Sequence, residues 1–195
     1  MAENKGQLKQ SITMELIDKD KRDGYTYDPI IKQYDTTFWK TTTGTPAISS
    51  NLLRLNASAI ASYLQHIYAD VQFSISVPTT PSAGEAKHWG LRNPSSDNLG
   101  AIYFEISGAT FSCVSKDDSG NSETTTLTWS SYENTQTVFR IIWEPGQIIF
   151  QINGTTVATH SSKVPNHALV LRVVNADADN TDIAYIAVRR AAAIV

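Results

Sequence analysis

Cysteine is almost missing from this chain, with one in 195 residues. That excludes an internal disulfide framework and any zinc site built on several thiolates. No apolar run approaches the roughly 18 residues that a membrane span needs. Met1-Ala2-Glu3-Asn4-Lys5 has no apolar stretch behind it, so a secretory signal is not expected. Charge is sparse at 18%, and the formal net charge of -3 offers no basic field for nucleic acid. Gly108, Gly120, Gly146 and Gly154 stand as isolated turn glycines and form no phosphate-cradling loop. His66, His88, His160, His167 and Cys113 share no catalytic or metal-ligand spacing. Cys113 alternates with Phe111 and reads as core filler, and His160 reads as a surface residue. What is present is 41% hydrophobic residues and four tryptophans, in a length that suits one domain with a real core.

Composition divides the chain near residue 30. The first stretch is polar and charge-dense and ends in Asp18-Lys19-Asp20-Lys21-Arg22-Asp23-Gly24. Leu8, Ile12 and Leu16 fit a helix face, whereas Ile12, Met14 and Leu16 fit a strand. Such an arm has few apolar groups to offset the entropy of ordering it. Residues 1–30 are therefore expected to form an N-terminal arm that docks on its own domain or, preferably, on a neighbouring chain. Ile12, Leu16 and Ile17 would be the assembly contacts. Residues 31–195 form the expected folded domain.

Strand patterns recur through that domain. Val71, Phe73, Ile75 and Val77 alternate with polar residues, as do Ile102, Phe104 and Ile106. The alternation predicts a core built from Phe139, Ile141 and Trp143 with Val71, Phe73, Ile75, Ile102, Phe104 and Ile149. Glu144-Pro145-Gly146 joins two strands, and Asn153-Gly154 is a strong hairpin signal because both residues tolerate positive φ. Ala168 to Asn175 and Asp182 to Arg190 read as two more strands. About ten short strands with little helical pattern predict an all-β antiparallel sandwich or barrel.

Val138-Phe139-Arg140-Ile141-Ile142-Trp143-Glu144-Pro145-Gly146, followed by Ile149-Phe150-Gln151-Ile152-Asn153-Gly154, resembles the strand–turn–hairpin unit of concanavalin A-like lectin/glucanase domains. More closely, it looks like family 16 glycoside hydrolases and their inactive relatives. The resemblance covers about residues 35–190. It implies a jelly-roll β-sandwich of two antiparallel sheets, with one concave face where relatives bind or cut polysaccharide. That family carries two glutamates and an aspartate on one concave strand, and the matching strand here is Gly100 to Ser107. Its acidic positions fall near Ala101, Tyr103 and Glu105 or Ile106, of which Glu105 alone is acidic. A retaining glycosidase needs two carboxylates about 5–5.5 Å apart. The chain is therefore expected not to be an enzyme, with no catalytic residue.

Two readings of the polar face remain open. One is a glycan groove built from His88, Arg92, Tyr103, Glu105, Trp129 and Arg172. The other is a solvated sheet on which Arg172 and Glu105 pair while the tryptophans are buried. Asp177, Asp179 and Asp182 lie in one turn, where a structural Ca²⁺ is conceivable, but solvated turn residues are preferred, so neither cofactor nor metal is expected. Together these features favour a non-enzymatic structural or capsid-decoration protein of a large assembly, a phage or other virus particle. It would sit on the virion surface as an oligomer and display a lectin-like domain. A free carbohydrate-binding module is the alternative, and a divergent glycoside hydrolase the third reading. The expected partners are other protein chains, through the arm, and glycans.

Overall fold

Period-two alternation governs the long strands, and it sorts the side chains into an interior and two outward faces. The computed structural model describes residues 25–28, 39–50, 52–77, 86–96 and 98–190, and no helix occurs among them. The first sheet has eight strands. Its path runs β13 (Thr155–His160), β12 (Gln147–Ile152), β11 (Thr137–Glu144), β6 (Ala69–Ser76), β15 (Thr181–Arg190), β4 (Leu52–Leu55) and β3 (Ala47–Ser49). β1 (Tyr25–Asp28) also pairs with β15, at Ile186 to Arg189, beyond the stretch that β4 occupies. The second sheet has seven strands in the order β10 (Ser122–Leu127), β9 (Thr110–Lys116), β8 (Ala101–Ser107), β7 (Ala86–Arg92), β14 (Leu169–Asn175), β5 (Ser58–His66) and β2 (Trp39–Thr43). All pairings are antiparallel, and the two sheets enclose one core, which is the jelly-roll sandwich that the family resemblance implies.

Aromatic rings fill the centre of that core. Phe104 of β8 has ring centroids of Phe139 at 5.1 Å, Phe150 at 5.2 Å, Phe111 at 6.1 Å and Trp89 at 6.2 Å. Offset and edge-on contacts of this kind add to the burial of apolar surface itself. Phe139, Ile141, Trp143, Val71, Phe73, Ile75 and Ile102 face inward as the alternation predicts. Ile149 does not. The turn at Pro145-Gly146 pairs Trp143 with Ile148 and Ile141 with Phe150, so the inward set of β12 is Ile148, Phe150 and Ile152. Ile149 then falls opposite Ile142 on the outer side.

His160 is also placed differently from its sequence reading. It is fully buried at the end of β13, where Nδ1 meets Ser115 Oγ at 2.9 Å and Nε2 meets Thr125 Oγ1 at 3.0 Å. These two hydroxyls come from β9 and β10, so the ring ties the edges of the two sheets together. Cys113 is buried, and that burial pushes its thiol far above the ordinary range. Ile12, Leu16 and Ile17 lie outside the described residues. Tyr25–Asp28, within the segment read as an arm, adds to the chain's own first sheet.

Candidate functional site

The polar face singled out in the sequence is the outward face of the second sheet. Inward residues of β7 and β8 are Trp89, Leu91, Ile102, Phe104 and Ile106, so His88, Gly90, Arg92, Ala101, Tyr103 and Glu105 point the other way. Antiparallel register then sets these residues in rows across the strands. One row holds Val170, Arg92, Ala101 and Lys116. The next holds Lys40, Ala61, Arg172, Gly90, Tyr103 and Val114. A third holds Ala59, Val174, His88, Glu105 and Ser112. The register thus brings together five of the six residues predicted for a glycan groove.

The sixth, Trp129, is in the core. It follows β10 in a bend, is 5% exposed, and packs edge-on against Phe111 at 5.2 Å. Thr125 and Leu127 of β10 stand opposite Cys113 and Phe111, which face the core, and Trp129, two residues beyond Leu127, keeps that inward parity.

Within the five, depth differs. The Arg92 guanidinium lies 4.3 Å from the centroid of the Tyr103 ring, and both side chains are buried. Tyr103 packs with Ala101 and Val114 in a small apolar cluster on this outer side. Arg92 and Tyr103 therefore form a floor, whereas His88, Glu105 and Arg172 are half-buried, His88 with its ring nitrogens turned away from solvent. Among the described residues, Arg172 and Glu105 form no ion pair. They sit in adjacent rows and two strands apart, because Arg172 is opposite Gly90 and Glu105 is opposite His88. Gly90 permits the close approach of β8: a Cβ there would come within 2.1 Å of the Ile102 carbonyl oxygen.

His88 sits 5.6 Å from the Tyr103 ring, and its two ring nitrogens are buried without a hydrogen-bond partner. Burial, reinforced by the positive charges of Arg92, Arg172 and Lys116, holds its pKa well below the ordinary histidine value. The pKa of His160 is lowered as well, by burial, against an opposing pull from Glu123. Both rings are thus neutral in the folded chain near pH 7. On acidification, the unfolded chain takes up these protons first, at about pH 6.5, while the folded chain does not. Stability is fully present above that value and is lost as pH falls below it. Each histidine contributes a slope of up to about 1.4 kcal/mol per pH unit. Melting curves between pH 8 and pH 5.5 are expected to show this decline, with a shallower one in His88→Gln. A flat profile would contradict the burial of both rings.

Lys116 was missed in the sequence, although the alternation of Phe111 and Cys113 places Ser112, Val114 and Lys116 outward. His167 stands at the end of the sandwich, outside the face. Asn93 Oδ1 accepts the Ser95 N–H, so its NH₂ group faces His167 Nε2 at 2.8 Å, and the ring proton on Nδ1 points at Asp118 Oδ1, 2.6 Å away. This arrangement staples three loops. Asp182 is held by Arg54 through bonds of 2.7 and 2.8 Å, and Asp177 Oδ1 accepts the Asp179 N–H at 3.3 Å. Among the described residues no group of three or more His, Cys, Asp or Glu side chains is placed to hold a metal ion.

No protein-family model matches the chain, and no curated protein matches it. Solved structures match it in fold. A Bacillus licheniformis β-glucanase superposes with a TM-score of 0.71 at 12% identity, over 86% of this chain and 99% of its own. The Crh5 transglycosylase gives 0.69 at 13% identity, over 87% and 85%. The laminarinase catalytic domain of Thermotoga maritima gives 0.67 at 12%, over 85% and 97%. The fold is therefore the concanavalin A-like jelly roll of family 16 glucanases and transglycosylases. Because these neighbours are carbohydrate-active enzymes and not particle components, the expectation of a phage or virus decoration protein is corrected.

Proposed function

We propose that the chain binds an extended polysaccharide of the β-glucan class on the outward face of its second sheet and leaves it uncut. One observation carries this reading. β8 turns Ala101, Tyr103 and Glu105 to the outward face, and Glu105 is the one carboxylate among the described residues of that face. Hydrolysis with retention needs a nucleophile and an acid/base about 5–5.5 Å apart, and inversion needs a pair about 6.5–9.5 Å apart. A single carboxylate fills neither scheme, but it remains a good acceptor for sugar hydroxyls. Arg172 supplies donors one row away, and the buried Arg92–Tyr103 floor keeps the face stiff. The likeness to β-glucanases names the polymer to try first.

Electrophoresis through gels that contain soluble β-1,3-1,4-glucan or β-1,3-glucan tests the reading. The native chain is expected to be retarded by at least one polymer and to release no new reducing ends, with the polymer length distribution unchanged. Glu105→Gln is expected to weaken retardation by several-fold, since hydrogen bonds to a charged group are the stronger ones. Free passage through both gels would remove the binding claim. Release of reducing ends that disappears in Glu105→Gln would make the chain a hydrolase instead.

A further inference from the structure

The pairing of β5 with β14 is interrupted by a gap. Gln65 lies opposite Val170 and Ala61 opposite Arg172, so Ser62, Tyr63 and Leu64 face Leu171 alone. Ser62 repairs the ladder with its side chain. Its hydroxyl accepts the Leu171 N–H at 3.1 Å and donates to the Leu64 carbonyl at 2.8 Å. The bulge breaks the in–out alternation: Ser62 is buried, and the next two residues, Tyr63 and Leu64, are 58% and 48% exposed. A bulge that re-aims a side chain is a local device, and this one turns a large aromatic residue into water. A plain strand would have buried one of the two.

Tyr63 comes out on the same side of the sheet as the proposed groove. Trp39 of β2 points into the core, so its neighbour Lys40 points outward, and Lys40 Nζ lies 6.0 Å from the Tyr63 ring centroid. Lys40 pairs with Ala61, whose other partner is Arg172. Only small side chains, Ala59 and Ala61, share the outward side of β5 before the bulge. From β5 to β8 there are three strand spacings, roughly 14 Å, and the offset along the strands, from the level of Leu171 to that of Val174, is about 10 Å, so Tyr63 and Glu105 are about 17 Å apart on a diagonal. That diagonal crosses Arg172 and Gly90.

We propose that Tyr63, lifted by the Ser62–Leu64 bulge and flanked by Lys40, is a stacking platform for a sugar ring at the β2–β5 end of the groove. The ligand is then an oligosaccharide long enough to span from Tyr63 across Arg172 to Glu105. This inference rests on the polysaccharide-binding reading above and adds its length requirement. A pyranose offers a flat face of C–H groups that packs on the negative face of a phenol ring, while its hydroxyls reach the Lys40 ammonium. A second protein copy fits the patch poorly. Tyr63 and Leu64 alone cannot supply the roughly 800 Å² that each partner of a stable interface gives up.

Calorimetric titration with β-1,3-1,4-gluco-oligosaccharides of two to eight units tests the proposal, using the native chain, Tyr63→Ala, Tyr63→Trp and Glu105→Gln. The native chain is expected to gain affinity steeply with ligand length. Tyr63→Ala is expected to melt at an unchanged temperature, to flatten that length dependence and to lose about tenfold in affinity for the longest ligands. Tyr63→Trp is expected to keep it. An undiminished length dependence in Tyr63→Ala, beside weakened binding in Glu105→Gln, would overturn the platform and leave the groove standing. No binding by the native chain at any length would overturn both. A native dimer that Tyr63→Ala splits would assign the ring to protein contact and overturn the platform.

Discussion

Phe104→Ala is expected to lower the stability of the domain by about 3–5 kcal/mol, the usual range for emptying a buried aromatic site. Phe104 is fully buried, and its ring touches those of Trp89, Phe111, Phe139 and Phe150 from both sheets. None of these can close the hole alone, because each is fixed by the others and by the register of its own strand. The loss therefore contains both the transfer of the ring and the cavity left behind. Total stabilities of about 5–15 kcal/mol are typical, so one substitution removes a large share. For a chain of this length the melting temperature should fall on the order of 10 °C. Urea titration checks the size directly. A loss under about 1 kcal/mol would mean that the two sheets slide together over the gap, and the rigid aromatic core would have to be abandoned.

Gly90→Ala is expected to cost nearly as much, about 3 kcal/mol, through the opposite fault of too little room. An added Cβ would sit 2.1 Å from the Ile102 carbonyl oxygen and 2.6 Å from the Tyr103 Cα. Those atoms belong to the backbone of the paired strand, so relief requires parting β7 from β8 at the Gly90–Tyr103 register. The same movement would draw Tyr103 from under Arg92 and disturb the floor of the groove. Gly146→Ala provides the contrast. Its Cβ would meet nothing within 4 Å, and only the positive φ of 79° opposes it, at about 1–2 kcal/mol. Thermal melts of the two variants should place Gly90→Ala clearly below Gly146→Ala. Equal melting temperatures would show that β8 yields easily and that the face is softer than its packing implies.

Much of the fold was legible because burial on one side imposes a period of two. Val71, Phe73, Ile75, Ile102, Phe104 and Ile106 announce their faces without any tertiary information. The rows of the candidate site follow from the same rule once the strand order is known, which is why five of its six predicted residues came together. The failures fall where the period is interrupted. Ile149 was misplaced because β12 carries two adjacent isoleucines, Ile148 and Ile149, and the Phe150 register chooses between them. His160 looked solvated because its partners, Ser115 and Thr125, lie 45 and 35 residues away. Tyr63 gave no signal at all. A bulge is a mismatch between two strands, and neither strand records it alone.

Strand order carries one more consequence, for the time course of folding. β15 lies inside the first sheet, between β6 and β4, and β14 lies inside the second, between β7 and β5. Each sheet is thus keyed by one of the last two strands described. Ile186 must find Phe73, Asp182 must find Arg54, and Val173 must find Ile60, all across more than a hundred residues of chain. Closing such long loops before any contact repays them puts the domain among slow folders, on the order of milliseconds to seconds. During synthesis the earlier strands emerge with the centre of both sheets still open, and β5, β6 and β7 each wait with an unpaired side until residues 169–190 arrive. The domain therefore completes itself in one late step.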